Sequence, residues 1–236
     1  MHKSSILRMK WFVDHYASKI PKSKVRVLDV GSYDVNGSYR HLFTEGKYHY
    51  TGLDMEDGPN VDVVLKNPYN WDAIETDSFD VIISGQVFEH IEFFWITMSE
   101  MTRVLKKDGL LCLIAPNGFG EHRYPVDCYR FFTDGMVALA KFVNLELLHA
   151  HTNCAPSAND TDWYTETCAD SILIAKKPYN GQPKYPDLKA YKCVPVNQEA
   201  LRSGLVPYPR KKGLERLWDK IRRRLFSGLT RDNAND

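Results

Sequence analysis

A glycine-bearing turn edged with carboxylates is the first stretch of this sequence whose residue types could do chemistry. It reads Asp29-Val30-Gly31-Ser32-Tyr33-Asp34-Val35-Asn36-Gly37-Ser38 and overlaps the end of an apolar run that starts at Val25. Gly31 allows a sharp backbone turn and a close ligand approach. Asp29 and Asp34 bring negative charge, which suits a cationic ligand and suits a pyrophosphate badly. The dinucleotide spacing G-x-G-x-x-G is missing, because position 33 is Tyr. A further acid, Asp54, ends the next apolar segment, as a ligand group or as a turn residue.

Two downstream segments carry groups that can take or hold a proton. Histidine has an unperturbed pKa of about 6.5, which suits a base near neutral pH. Ser84-Gly85-Gln86-Val87-Phe88-Glu89-His90 holds one, and His90 either faces a ligand or braces the helix that follows. The segment from Pro116 to Thr133 holds another, His122, together with Tyr124, Asp127, Arg130, Phe131 and Phe132. It is too rich in polar, aromatic and glycine residues for a simple connector, and loops of that kind carry function. Asp127 and Arg130 either bind a ligand or form a structural ion pair. Phe131 and Phe132 are expected in the core. The stretch Asn153–Thr167, with Trp163 and Tyr164, fits sugar or ring contact and equally fits a packed surface loop.

Such residues need elements that deliver them to one edge. Apolar runs predict strands at Val25–Val30, Tyr48–Asp54, Val61–Leu65, Phe79–Ser84, Leu110–Ala115, Leu145–His151 and Ser171–Ala175. Helical spacing predicts a first helix ended by Pro21, a short one through Arg40–Phe43, another over Ile91–Leu105, and one over Asp134–Phe142. Lys106-Lys107-Asp108-Gly109 reads as the stop of the third, with cations in its last turn and a glycine beyond. Nearly all-apolar strands alternating with helices mean a mostly parallel sheet with helices on both faces. Ligands of such sheets sit beyond the strands' carboxyl ends, where strand order reverses. The Gly31 turn, Asp54 and the segment after Ser84 all fall at that edge.

Val27-Leu28-Asp29-Val30-Gly31 resembles the first motif of class I S-adenosylmethionine-dependent methyltransferases. Asp54 matches the acid that in that family accepts hydrogen bonds from both ribose hydroxyls. Phe79–Ser84 matches its fourth-strand motif, and Val87–Ile91 with Met101–Leu111 is similar to its "LEH…RVLKPGG" segment. The resemblance runs from Val25 to about Lys176. It implies an α/β, Rossmann-like class I methyltransferase fold: a seven-stranded, mostly parallel sheet with an antiparallel last strand. It also implies S-adenosyl-L-methionine as cofactor, with contacts at Asp29, Gly31, Ser32, Tyr33, Gly37, Asp54, Met55, Asn67, Ser84 and Gln86. Asp62, Lys66, Asn67 and Tyr69 follow the third strand, where such folds grip adenine, and each is either an adenine contact or part of a surface loop. Tyr33 stands where the family often has its middle glycine and could narrow the approach to the methionine moiety.

The His122 segment is similar to the "HxxPxDxxRFTPxGL" stretch of methyltransferases linked to glycan and cell-surface polysaccharide pathways. On that likeness His122 is expected as the general base or an acceptor-binding group, Tyr124 as stacking on the acceptor, and Asp127 and Arg130 as ordering the loop or binding the acceptor. His90, from the Glu-His pair, is the second catalytic candidate, and O-methylation of a sugar or polysaccharide intermediate is the reaction implied. Some relatives that act on catechol-like quinone precursors carry a divalent metal on the Glu89–His90 pair; no metal is expected here. Methylation of another small molecule, an amine or aromatic hydroxyl, is the alternative. A methyltransferase-like binding module without catalysis is a third reading.

The chain has 236 residues, 43% hydrophobic and 26% charged, enough for one α/β domain with a full core. The expected organisation is an N-terminal helical extension over 1–24, a cofactor-binding domain over 25–177 and a proline-punctuated tail over 178–236. A net charge of +1 gives the whole molecule no pull toward nucleic acid; the resemblance implies a small-molecule or glycan acceptor as the partner. The five cysteines lack C-x-x-C spacing, which argues against a disulfide framework or a zinc site and suits the cytoplasm. The N-terminus lacks the apolar run of a secretory signal. The charge is uneven: from Arg210 to Phe226 eight cations face two acids, a net +6 against −5 for the rest. Leu214, Leu217, Trp218, Ile221, Leu225 and Phe226 recur there at helical spacing. A basic amphipathic helix at about 214–226 can therefore lie peripherally on the anionic inner face of a membrane or dock on a protein.

Overall fold

The computed structural model describes residues 3–43, 46–118, 120–152 and 169–180. The chain divides into two units, Met1–Val196 and Asn197–Asp236, and every described residue belongs to the first. The stretch Asn153–Thr167 and the basic segment 214–226 lie outside the described residues.

The apolar run Val25–Val30 forms the central strand, β1. It is buried on both sides because β2 (Tyr48–Asp54) and β4 (Phe79–Gly85) pair with it in parallel. β3 (Val63–Val64) extends the sheet beyond β2, and β5 (Leu105–Gly118) beyond β4. β7 (Ala169–Lys176) runs antiparallel between β5 and β6 (Glu146–Thr152). The order is β3-β2-β1-β4-β5-β7-β6, a seven-stranded α/β sheet of the Rossmann-like class I kind. Strand order reverses between β1 and β4, so the crevice at their carboxyl ends is the expected ligand position.

Period-2 alternation sends neighbouring side chains of each strand into two separate cores. On one face Val25, Val27, Val81, Ile83, Cys112 and Ile114 pack under helix α1 (Lys3–His15), which contributes Met9 and Phe12 at 0% exposure. On the other, Leu28, Ile82, Leu111 and Leu113 meet α2 (Phe94–Val104) and α3 (Thr133–Phe142) through Ile96, Met98, Met101, Met136 and Leu139.

Several elements depart from the sequence pattern. The segment after the glycine turn makes a single 3₁₀ turn, Arg40–Leu42, where a short helix was expected. The third strand has two residues because Asp62 is turned aside to accept the Gly52 amide (2.7 Å) and the Arg40 guanidinium (2.6 Å). Helix α2 begins at Phe94, preceded by a separate 3₁₀ turn, Phe88–His90. It ends at Val104, and Lys106–Gly109 lie inside β5, whose pairing shifts between Phe79–Leu105 and Val81–Leu110. Lys106 turns to Asp80 (3.0 Å).

The cation at the end of α2 is instead Lys177, which is 2% exposed. Its Nζ donates to the carbonyls of Thr102 (2.9 Å) and Leu105 (2.6 Å) and to Asp77 Oδ1 (2.7 Å). These carbonyls are among the last-turn acceptors that a helix leaves unsatisfied. Lys177→Met keeps the apolar stem and strands the carbonyls, so it should cost about 2–3 kcal/mol of stability. Urea unfolding checks this; an unchanged midpoint would show that the ammonium contributes nothing to the cap.

Candidate active site

The first half of the site is the turn after β1. Gly31 adopts φ +79°, and a Cβ there would lie 2.1 Å from a Val87 methyl. The turn is tied down on its other side: the amides of Gly31 and Ser32 donate to the Leu53 carbonyl at 2.8 and 3.1 Å. The Tyr33 amide donates to Asp54 Oδ2 (2.9 Å), and the Met55 amide to Asp54 Oδ1 (2.7 Å). Asp34 Oδ1 accepts the Gly37 amide (2.6 Å) and closes the turn. The Tyr33 ring lies against Gly58, where a Cβ would come within 2.3 Å of it. The bulk at position 33 is thus carried toward the loop after β2.

Asp29 sits deeper than the turn, at 2% exposure, and accepts a hydrogen bond from the Tyr50 hydroxyl. Burial pushes its carboxyl up to about 7, against the pull of the Tyr50 bond. Asn60 links the Ser32 carbonyl (2.8 Å) to the Tyr50 hydroxyl (3.2 Å), and Arg40 lies over the Tyr50 ring at 4.4 Å. Arg40, Tyr50 and Asn60 support the turn from below and carry no sequence signal, because only the fold brings them together. Ser32 bonds the Asn60 carbonyl (3.1 Å), and Ser84 Oγ bonds the Val30 carbonyl (2.9 Å) inside the sheet. Asn67 Oδ1 accepts the Tyr69 amide (2.8 Å) within its own turn.

Gln86 lies just past β4 with φ +63°. Its Nε2 donates to Asp170 Oδ1 (2.9 Å), while its Oε1 is buried and accepts no hydrogen bond from a described residue. Asp170 also receives Ser4 Oγ (2.6 Å) and the Arg8 guanidinium (3.5 Å), so α1 closes this end of the crevice.

The second half joins the Phe88–His90 turn to the loop after β5. The Cys128 amide donates to the Glu89 carbonyl (2.7 Å), and the Tyr129 hydroxyl to the Glu92 carbonyl (2.8 Å). Asp127 holds the loop's own shape: it accepts Arg130 in bidentate fashion (2.5 and 2.8 Å) and the His122 amide (2.7 Å). Burial raises its carboxyl, and these bonds outweigh that and leave it below the usual carboxylate range. His90 Nδ1 donates to the Val126 carbonyl (2.6 Å), and burial pulls the imidazole below its ordinary pKa. The His90 and His122 rings stand edge to face with centroids 5.0 Å apart. Glu89 is 0% exposed, and burial lifts its carboxyl to about 8. His90 therefore both braces the loop and meets His122. Asp127 and Arg130 form the ion pair that positions His122.

Tyr124 is 63% exposed. Phe131 lies in the core, but Phe132 is 55% exposed, contrary to its expected burial. Phe132 is extended (φ −117°, ψ 167°), so it faces away from its neighbour. A separate cleft lined by Tyr16, Ile20, Asp80 and Leu110 lies off this edge and includes none of the predicted site residues.

A crevice at the order reversal, a glycine turn bonded to a strand-end acid and a histidine-bearing loop after β5 define a class of enzyme. Residues 28–113 match the sequence profile of a methyltransferase domain. That match and the sheet order are those of a methyltransferase domain of the class I fold. It is similar to a solved SAM-dependent methyltransferase from Archaeoglobus fulgidus (15% identity, 73% of this chain and 95% of that one, TM-score 0.52). It is also similar to the 1,6-didemethyltoxoflavin-N1-methyltransferase of Burkholderia thailandensis (15% identity, 75% and 80% coverage, TM-score 0.55), solved with bound 1,6-didemethyltoxoflavin and S-adenosylhomocysteine. The cyclase SpnF is a third (16% identity, 73% and 80% coverage, TM-score 0.54). At these identities the likeness is one of fold. No curated protein matches the sequence.

Asp29 binds its proton more tightly folded than unfolded. The stability this lends is complete below its ordinary pKa of about 4 and is lost as pH rises through about 7. Asp29→Asn should therefore gain melting temperature relative to the native sequence between about pH 4 and pH 8. Thermal melts at stepped pH check this, and parallel curves for the two proteins would exclude a retained proton.

Proposed function

We propose that this chain transfers the methyl group of S-adenosylmethionine to a hydroxyl of a sugar or of a cell-surface polysaccharide intermediate. The observation that carries the cofactor reading is Asp54 at the end of β2, bonded to the Tyr33 amide so that strand end and turn make one acidic rim. A carboxylate there suits a ribose diol. The buried, unengaged Gln86 Oε1 suits an ammonium donor. Gly31 and Gly37, both at positive φ, give the turn a backbone surface without side chains. When bound, S-adenosylmethionine supplies a methyl group made electrophilic by its sulfonium, and the acids at 34 and 54 suit that positive charge.

The chain's own contribution is placement, which accounts for much of the barrier lowering in a displacement between two bound groups. Tyr124 offers an exposed ring on the loop that also carries His122, a pairing of flat apolar surface and polar group that suits a sugar. A hydroxyl acceptor must also lose its proton. His90 and His122, with Glu89 behind them, are the groups placed to receive or hold it. Asp127 and Arg130 act through His122, as positioning residues. The cytoplasm, with the segment 214–226 against the membrane's inner face, is the location that goes with this reading. No helix among the described residues is long and apolar enough to cross a membrane.

Calorimetry with S-adenosylhomocysteine should give a single site, and Asp54→Ala should weaken it at least tenfold, about 1.4 kcal/mol. Absence of any binding to folded protein would remove the cofactor reading. With sugar acceptors, His122→Ala should lower turnover by about 10²–10⁴ and leave S-adenosylhomocysteine affinity unchanged. Turnover confined to amines or aromatic hydroxyls would replace the sugar with those acceptors. Cofactor binding without turnover of any acceptor would favour a binding module.

A further inference from the structure

Glu89 presents an unusual electrostatic situation. Its side chain is wholly buried, and neither carboxylate oxygen accepts a hydrogen bond from another described residue. A carboxylate withdrawn from water without partners costs several kcal/mol, and chains relieve that cost with a proton or a cation. The nearest basic group is His90 Nε2, 3.6 Å from Glu89 Oε1. His122 arrives from the loop after β5, and one ligand atom from each of Glu89, His90 and His122 lies within 4.8 Å of the others.

The geometry points to a divalent transition-metal site formed by Glu89, His90 and His122. Both imidazoles are oriented for it. His90 Nδ1 donates to the Val126 carbonyl (2.6 Å) and His122 Nδ1 to the Gly120 carbonyl (3.1 Å). A carbonyl can only accept, so each Nδ1 carries the proton and each Nε2 keeps its lone pair. Metal-bound histidines are held in this way, with the second ring nitrogen fixed on a carbonyl or carboxylate. Asp127, which bonds the His122 amide, fixes the loop that brings the third ligand. Ligand atoms about 2.1 Å from one ion lie roughly 3–3.5 Å apart. A short inward movement of His122, whose side chain is 34% exposed, completes the set.

Two imidazoles and one carboxylate suit Zn²⁺, Mn²⁺, Fe²⁺ or Co²⁺ better than Mg²⁺ or Ca²⁺, which prefer all-oxygen shells. Three protein ligands leave coordination positions open. On the methyl-transfer reading, the ion takes up the imidazole lone pairs, so the acceptor hydroxyl at an open position gives its proton to water in place of the histidines, and the O–H bond's electron pair stays on the oxygen. That consequence rests on the reading above, whereas the metal site does not. The Glu89–His90 pair is visible in the sequence as neighbours, but alone it makes too few ligands, and no metal was expected from it. The third ligand is supplied by tertiary structure.

The test uses the untagged full chain, stripped with chelator and titrated with Co²⁺ and, separately, Zn²⁺. We expect one equivalent of Co²⁺ to develop visible absorption bands that Zn²⁺ displaces. Calorimetry should give one Zn²⁺ site, weakened at least about tenfold by Glu89→Gln and by His122→Ala. Folded native protein that develops no Co²⁺ bands overturns the proposal without relying on any variant. So does binding that both variants leave unchanged. A parallel S-adenosylhomocysteine titration separates the two readings. Its binding without metal binding removes the cation alone, and metal binding without it removes the methyl-transfer reading alone.

Discussion

The contact between Gly31 and Val87 is the constraint around which the rest is arranged. The chain leaves β1 toward β2 and returns to β4 from the other side, so the two segments beyond those strands diverge from one point. They touch there so closely that no Cβ fits at position 31. This contact sets the distance between the acidic rim of Tyr33 and Asp54 and the turn that bears Glu89 and His90. Any movement of one segment is felt by the other through packed atoms.

The two sides of the crevice are stiffened differently. The glycine turn rests on backbone bonds to Leu53 and on a hydrogen-bonded layer in which buried Asp29 is covered by the half-buried Tyr50, Asn60 and Arg40. The loop after β5 is anchored at its far end by Tyr129 and Phe131 against Phe94, while its stretch around His122 relies on polar ties, chiefly the Asp127–Arg130 pair, with the Cys128 amide given to the Glu89 carbonyl. A loop held by a few directional bonds can open without unfolding the sheet, a property suited to the side where an acceptor must enter and leave. The α1 network through Asp170 and Gln86 closes the crevice from a third direction.

Much of the fold was legible because the strands declare themselves. Val25–Val30, Tyr48–Asp54 and Phe79–Ser84 are apolar runs bounded by turn residues, and their order led to the right sheet. What was not legible depends on distant partners. Lys106 and Lys107 looked like the end of α2, but Lys177 takes that position from the far end of the domain. Val61–Leu65 has the composition of a strand, yet Asp62 is drawn off by Arg40 and the Gly52 amide. The acid at 54 could be placed at a strand end by pattern alone. The meeting of His122 with His90 could not, since it follows from how one loop folds back over another. The burial of Asp29 was hidden for the same reason: nothing local reveals that Tyr50 will cover it.

The position of β7 also bears on how the chain is made. In the sheet it lies between β5 and β6, yet it is the last of the three to leave the ribosome. Until residues 169–176 emerge, β5 has an open edge carrying Leu111, Cys112 and Leu113, and β6 lacks its only strand partner among the described residues. Lys177 follows at once and completes the end of α2. A nascent chain halted before this point would present an unpaired apolar strand, the kind of surface that chaperones capture and that aggregation exploits.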